Sequence, residues 1–324
     1  MNKKIIKACF LALIIGFMVS TTGCKARKVD LSDKVNIVCT IFPLYDWTLQ
    51  MIGKYFNNTT LTLLVKTSMD IHSYQPSTYD FVQISNADIF IYTGGESEAW
   101  VQDALKNATN KEMIVINLMD LLADRKKTEE IVEGMQISDE GDSEEIEYDE
   151  HVWLSIKNAK IAVQAINDAL CLLDEENAEN YKKNLEAYLV ELDGLDFEYQ
   201  AAVDKAAHKT LIFCDRFPFR YLTDDYGLSY YAAFSGCSAE TEASFETISF
   251  LSQKVSELGV NAVCKIDGST DKISRTVIRN SSNKFCDIIT LDSMQSTSLR
   301  AAFEGKTYAA TMRKNLEELK KALN

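Results

Sequence analysis

A long amphipathic stretch near the middle of the chain constrains the fold more than any other feature. Its apolar and aromatic residues recur at alternating steps of four and three: Tyr181, Leu185, Tyr188, Leu192, Leu195, Tyr199 and Ala202. This spacing predicts a helix over residues 177–206 that buries one face. At 1.5 Å per residue it would be about 45 Å long, enough to run the height of a two-lobed protein. A coiled-coil arm is the alternative, but strand-like residues follow at once.

Short apolar runs alternate with amphipathic ones on both sides of this helix. The predicted strands are residues 34–42, 61–66, 88–92 and 113–118 before it, and residues 210–214, 228–234, 262–266 and 287–291 after it. Such alternation is typical of parallel α/β construction, and 324 residues are enough for two cores. We therefore expect two Rossmann-like parallel-sheet lobes, 34–173 and 209–324, joined by a linking helix over 174–208.

The first residues indicate export. A basic start at 2–4 precedes a run over 5–19 that is apolar apart from Lys7, which is short for a membrane span and typical of a signal peptide. Because it ends on Gly23-Cys24, it resembles a bacterial lipoprotein signal, although Thr21 stands where such signals usually carry an aliphatic residue. The resemblance implies a signal peptide over 1–23, a lipid on Cys24, a tether over 24–33 and an extracytoplasmic body anchored to the cell membrane. A signal anchor left uncleaved is the alternative.

The charge of the chain excludes some partners. With 34 basic and 48 acidic residues the net charge is −14, which disfavours nucleic acid and anionic lipid and is compatible with gathering cations. Residues 124–150 include an acidic run, and we expect a mobile loop there. It is either a solvated insertion or a device that concentrates cations.

Cysteines beyond Cys24 form no CxxC pair. Four of them lie in apolar or helical runs and are predicted to be buried thiols: Cys39, Cys171, Cys264 and Cys286. The other two, Cys214 and Cys237, flank predicted loops of the second lobe. Sequence alone leaves open whether they pair.

Candidate metal ligands lie in both predicted lobes. In the first lobe, His72 lies just past a strand and His151 ends the acidic loop; in the second, Asp215 and Asp271 follow strands. Each alone could be a hydrogen-bonded surface residue or a helix cap. Together, two imidazoles and two carboxylates would hold a divalent first-row transition metal.

Two motifs point to a known family. The segment 72–77, His-Ser-Tyr-Gln-Pro-Ser, resembles the HxYxP motif of the metal-binding lipoproteins of zinc and manganese ABC importers, the cluster A-I solute-binding proteins. The segment 151–154, His-Val-Trp-Leu, resembles their HxWL motif, and the likeness extends from about Val35 to the end of the chain. The resemblance implies that His72 and His151 are the two ligands from the first lobe.

The second-lobe ligands are less regular. Residues 267–271 match the family's E-x-x-x-D turn, which implies that Asp271 is the fourth ligand and that Asp267 supports it. The position of the third ligand falls on Arg216, which stays protonated and cannot ligate. Asp215, next to it, would serve if the loop shifts by one residue, and Arg216 would then pair with or orient a carboxylate. Alternatively, Arg216 blocks a ligand and weakens the site.

The resemblance implies a monomeric receptor that delivers its metal to an ABC importer permease, with little closure around a stiff helix. Zinc is favoured over manganese: a carboxylate in the ligand set helps manganese, but zinc binds most such sites more tightly. We find no H-E-x-x-H, G-x-S-x-G or P-loop pattern, so an enzyme, such as a metallohydrolase, is disfavoured. The alternative function is a surface adhesin with a vestigial metal site.

Overall fold

A computed structural model of the protein describes residues 34–136, 147–238 and 242–324, which form two four-stranded sheets. The first sheet has the order β2-β1-β3-β4, with strands β1 (Val35–Cys39), β2 (Thr59–Leu63), β3 (Ile89–Tyr92) and β4 (Ile114–Asn117). The second has the order β6-β5-β7-β8, with strands β5 (Thr210–Phe217), β6 (Ser229–Ser235), β7 (Ala262–Ile266) and β8 (Asp287–Leu291). Every strand pair is parallel, which confirms the predicted α/β class with two lobes.

Helices connect and cover the strands. In chain order they are α1 (Phe42–Ile52), α2 (Thr78–Ser85), α3 (Val101–Lys106), α4 (Leu118–Leu121), α5 (Ile156–Leu173), α6 (Ala178–Asp204), α7 (Arg220–Tyr226), α8 (Phe245–Leu258), α9 (Lys272–Asn280), α10 (Leu299–Phe303) and α11 (Tyr308–Leu323). Several begin at a side chain that accepts a hydrogen bond from the first turn. Ser77 forms a capping box with Asp80, and Ser155 and Ser244 accept from the third residue after them.

The long helix α6 follows the first sheet and precedes the second in the chain, and it packs against helices of both lobes. It buries the predicted stripe from Tyr181 to Tyr199, and its packing partners are α1, α5 and α11. Its polar side chains also reach both lobes: Asn184 donates to the carbonyl oxygen of Met51 (2.7 Å), and Tyr199 donates to that of Met312 (2.7 Å). The helix is therefore an internal spine, as predicted, and not a coiled-coil arm.

A single hydrophobic cluster runs through both lobes. It includes Ile37 and Ile91 of the first sheet, Leu211 and Cys264 of the second, and the buried face of α6. Because one core is shared, the lobes are held together by apolar packing as well as by the chain. Smaller clusters lie on the other face of each sheet.

The acidic segment differs from the expected mobile loop where the structure describes it. Its two flanks pair through a bridge between Thr128 and Tyr148, and Met135 is buried. The flank also reaches the second lobe, where the backbone N–H of Gln136 donates to the carbonyl oxygen of Ala233 (2.9 Å). The expectation overlooked these apolar and backbone contacts because the acidic run dominates the composition; residues 137–146, which carry most of that run, lie outside the described residues.

The predicted signal peptide, Cys24 and the tether over 24–33 also lie outside the described residues. Within the part of the chain that the structure describes, no helix combines the length and the apolar character needed to cross a membrane.

Candidate metal site between the lobes

His72 is presented by a short helical turn that follows strand β2. The turn, Ile71–Ser73, begins at Asp70, whose side chain accepts a hydrogen bond from the backbone N–H of His72 (3.1 Å). The imidazole Nδ1 lies 2.6 Å from the hydroxyl of Ser97, which belongs to the turn after β3. These two contacts fix the ring so that its other nitrogen, Nε2, faces His151.

His151 is completely buried and held by the residue two positions before it. Oδ1 of Asp149 accepts from the backbone N–H of His151 (2.8 Å) and lies 2.9 Å from its Nδ1. A carboxylate on the far nitrogen of a metal-binding histidine fixes the tautomer and makes the facing nitrogen more basic. Nε2 of His151 is therefore the atom offered to a ligand.

The Nε2 atoms of the two imidazoles lie close to each other. Nε2 of His72 lies 3.2 Å from Nε2 of His151. Two nitrogens at 2.0–2.1 Å from a tetrahedral zinc ion would be about 3.3 Å apart, so the rings already have the spacing of a shared metal. The sequence prediction that these two residues come together agrees with this arrangement.

Burial and the surrounding charges shift the pKa values of the two imidazoles in opposite directions. Burial, together with the charges of His151 and Arg216, lowers the pKa of His72 to about 3, which leaves its lone pair available at neutral pH. Burial also disfavours a charged His151, but the carboxylates of Asp149 and Glu150 outweigh it and raise the pKa of His151. A cation at this site therefore competes with a proton for Nε2 of His151.

The second lobe does not offer the carboxylate that the sequence predicted. Strand β5 continues through Phe217, three residues beyond the predicted end, with an irregularity between Phe213 and Arg216. Asp215 and Arg216 lie at this irregularity, and their side chains have partners in different lobes: Asp215 contacts its own lobe and Arg216 contacts the first lobe. Asp215 turns inward, where its Oδ2 accepts from the backbone N–H of Ile266 and from the hydroxyl of Ser269.

Arg216 is the residue that reaches across. Its Nη2 donates to Oδ2 of Asp70 (2.8 Å), and its Nη1 donates to the carbonyl oxygen of Ser238 (3.4 Å). Burial raises the pKa of Asp70, but the charges of Arg216 and His72 and the hydrogen bonds from both residues together outweigh it, so the pKa is lowered overall. The guanidinium thus pairs with a carboxylate beside His72, one of the two roles considered for it.

The other two predicted carboxylates have protein partners. Asp271 is partly exposed and pairs with Arg275 (2.8 Å) and Lys265 (3.3 Å) at the start of α9. Asp267 accepts from the backbone N–H of Ser293 (2.9 Å). Among the described residues, the group of potential ligands that lie close together contains neither of them, nor Asp215.

Two residues that the sequence did not single out as ligands face the imidazoles. Cys237 follows strand β6, and one ligand atom each from His72, His151 and Cys237 lie within 4.8 Å of one another. Oε1 of Gln295, in the segment after β8, lies 3.1 Å from Nε2 of His151, while its amide donates to Asp70 (2.8 Å). The position of Cys237 just past a parallel strand was the available signal, since the same rule had identified His72. Cys214 and Cys237, whose pairing was left open, are free thiols.

Comparison with known proteins finds relatives that are named as zinc-binding or zinc-uptake proteins. The family model described as zinc-uptake complex component A, periplasmic, matches residues 37–322. The zinc-binding protein AdcA of Streptococcus pyogenes serotype M3 is 29% identical over 99% of this chain, which spans only 61% of that relative. The high-affinity zinc uptake system protein ZnuA of Bacillus subtilis is 28% identical over 98% of this chain and 96% of its own length. The crystal structure of the Zn(II)-bound ZnuA-like domain of Streptococcus pneumoniae AdcA is 26% identical, with a TM-score of 0.69 over 90% of this chain and 99% of that one.

Proposed function

The chain belongs to the family of the periplasmic component A of zinc-uptake complexes, and from that premise we propose that it is an extracytoplasmic receptor for a divalent transition metal. It binds Zn²⁺ in preference to Mn²⁺ between its lobes and releases it to the permease of an ABC importer. It acts as a monomer held at the cell membrane by a lipid on Cys24, and it catalyses no reaction.

The observation that carries this proposal is the pair of Nε2 atoms 3.2 Å apart. Each ring is fixed through its other nitrogen, by Ser97 and by Asp149, so the pair is arranged before any ion arrives. Prearranged ligands reduce the cost of ordering side chains on binding. The site is buried between lobes that share a core, which favours capture with little closure.

The adhesin alternative was based on Arg216 as an obstacle to metal binding. In the structure, the guanidinium is satisfied by Asp70 and the Ser238 carbonyl group. Its positive charge is thereby offset beside the imidazole pair. This arrangement favours the receptor over a vestigial site.

Metal analysis and titration of the purified protein test the proposal. We expect about one zinc per chain and a Zn²⁺ dissociation constant at least about tenfold below that for Mn²⁺, following the order of divalent metal affinities. Replacing His72 and His151 together by alanine should weaken Zn²⁺ binding at least about 100-fold, because losing even an outer-shell partner typically costs 10–100-fold.

His208→Ala is the matched control, because it removes the third histidine of the chain at a half-buried position just after α6. Its Zn²⁺ affinity should equal that of the unmodified protein. A tighter constant for Mn²⁺ would reverse the metal preference. Absence of bound metal after reconstitution would refute the receptor and favour the adhesin.

A further inference from the structure

A zinc ion held by the two imidazoles needs further ligands, and the predicted carboxylates do not supply them. Zinc in proteins has four ligands, typically nitrogen, sulfur or oxygen atoms in a tetrahedral arrangement. Asp215 is turned toward Ser269, and Asp271 is paired with Arg275 and Lys265. The second lobe must therefore contribute through other residues if it is to close the site.

Cys237 lies where such a ligand is needed. It belongs to the turn after edge strand β6, and its sulfur completes the close group with His72 and His151. The residue before it leaves room for the histidine: a Cβ added at Gly236 would lie only 3.0 Å from Cε1 of His151. The turn is also tied to the first lobe, because the backbone N–H of Cys237 donates to Oε1 of Glu129 (3.1 Å).

We propose that Cys237 binds the metal as a thiolate and is the third ligand of the site, beside His72 and His151. The inference rests on the proposed function, since it specifies how the second lobe grips the same ion. On binding, the thiol loses its proton to solvent and the sulfur lone pair forms the bond to the metal, with no change in oxidation state. The fourth position faces Oε1 of Gln295, 3.1 Å from Nε2 of His151.

This ligand set determines the metal preference. Thiolate is a soft ligand that suits zinc and other soft ions, whereas manganese prefers carboxylate, carbonyl and water oxygens. A site with two imidazoles and one thiolate therefore discriminates against Mn²⁺ more strongly than the two-histidine, two-carboxylate set that the sequence predicted. The thiolate also leaves the occupied site with one positive charge fewer than neutral ligands would.

Cobalt substitution tests the thiolate directly. The purified protein, kept reduced, is titrated with Co²⁺ and its near-ultraviolet absorption is recorded. A sulfur-to-cobalt charge-transfer band should grow to saturation at one Co²⁺ per chain. Cys237→Ser should lack the band and should bind Zn²⁺ at least about tenfold more weakly, the low end of the range known even for outer-shell partners.

Cys171→Ser is the matched control, because Cys171 is also a half-buried free thiol but lies on α5, where its sulfur interacts with Asn167 and the Ala178 carbonyl oxygen. It should keep both the band and the affinity. A protein that binds one Co²⁺ without the band would overturn the role of Cys237 and leave the receptor function intact. A protein that binds neither Co²⁺ nor Zn²⁺ would overturn both.

Cys237→Asp gives a second measurement that does not depend on the cobalt absorption band. It keeps a negatively charged ligand but replaces sulfur with oxygen, so the ratio of the Mn²⁺ to the Zn²⁺ dissociation constant should fall at least about tenfold. An unchanged ratio in a variant that still binds Zn²⁺ would show that Cys237 does not touch the metal. Circular dichroism of each variant confirms that it is folded.

Discussion

At the scale of single residues, the site depends on the groups behind the imidazoles. Asp149 holds Nδ1 of His151 at 2.9 Å, and Ser97 holds Nδ1 of His72 at 2.6 Å. Each contact determines which nitrogen faces the cleft. The hydroxyl gives orientation alone, whereas the carboxylate also increases the electron density on the facing nitrogen.

Replacing Asp149 therefore has a measurable cost. Asp149→Asn can keep the hydrogen bond through its amide oxygen but loses the negative charge, so we expect Zn²⁺ binding to weaken about tenfold, the lower end of the outer-shell range. Titration with a competing chelator measures the change. Asp271→Asn is the control: it removes a partly exposed carboxylate paired with Arg275 and should leave the constant unchanged. A larger effect at Asp271 than at Asp149 would restore Asp271 as a ligand.

The candidate site was predictable from sequence only where a motif fixes both the residue and its direction. His72 and His151 belong to motifs with a fixed spacing to an aromatic residue, and their rings do meet. The position of Asp215 depended on where strand β5 ends, and a shift of one residue reverses the side of the sheet. Strand ends are set by hydrogen bonds to neighbouring strands, which local sequence does not show.

Among the secondary-structure elements, helix α6 shows how much of a buried helix face the spacing of apolar residues predicts. Its predicted stripe is buried from Tyr181 to Tyr199, but the next buried residue is Val203, and the predicted Ala202 is only partly buried. A strict seven-residue repeat drifts about 20° per heptad around a straight helix, so after three heptads the buried face moves to the next position. The existence of the helix followed from the pattern; its last turn depended on packing.

Gly194 offers a stability test on the exposed face of this helix. A Cβ there would meet no atom within 4 Å, and the residue is in the helix interior. Gly194→Ala should therefore raise the free energy of unfolding by about 0.5–1 kcal/mol, because alanine loses less backbone entropy. Urea denaturation monitored by circular dichroism measures the change.

Gly227 is the matched control for that substitution. A Cβ there also meets open space, but Gly227 ends α7 in the left-handed conformation, with φ of 67°. Gly227→Ala should lower the free energy of unfolding by about 1 kcal/mol, since a side chain is strained in that conformation. The same methyl group should thus have opposite effects at two equally open positions, and equal effects would contradict the assignment of backbone strain.

At the scale of the whole molecule, Tyr308 at the start of α11 ties the C-terminal helix to the first lobe. Its backbone N–H donates to Oδ2 of Asp46 in α1 (2.8 Å), and its hydroxyl donates to the carbonyl oxygen of Trp153 (2.8 Å). Trp153, two residues after His151, in turn donates from its indole N–H to the carbonyl oxygen of Ser293 in the second lobe (2.8 Å). Buried hydrogen bonds thus connect the lobes beside the candidate metal site, as a small closure requires.

The burial of the Asp46 carboxyl group makes stability depend on pH. Burial raises the pKa of Asp46 to about 6, outweighing the hydrogen bonds from Tyr308 and Gln50. Because the folded pKa lies above the unfolded value of about 3.9, the folded protein holds the extra proton between these values, and stability falls as pH rises through this window. The loss from this group approaches about 3 kcal/mol above pH 6, at 1.36 kcal/mol per pKa unit.

Asp46→Asn should remove this loss, because the amide oxygen can still accept from Tyr308 and the side-chain amide of Gln50 can turn to accept from the new NH₂ group. Urea denaturation at pH 4 and pH 7 gives the free energy of unfolding of the variant minus that of the unmodified protein. This difference should be about 2–3 kcal/mol higher at pH 7 than at pH 4. Asp168→Asn is the control, since the exposed Asp168 accepts the same hydrogen bond from Gln164 four residues earlier. If both variants show the same dependence on pH, the buried carboxyl group is not its source.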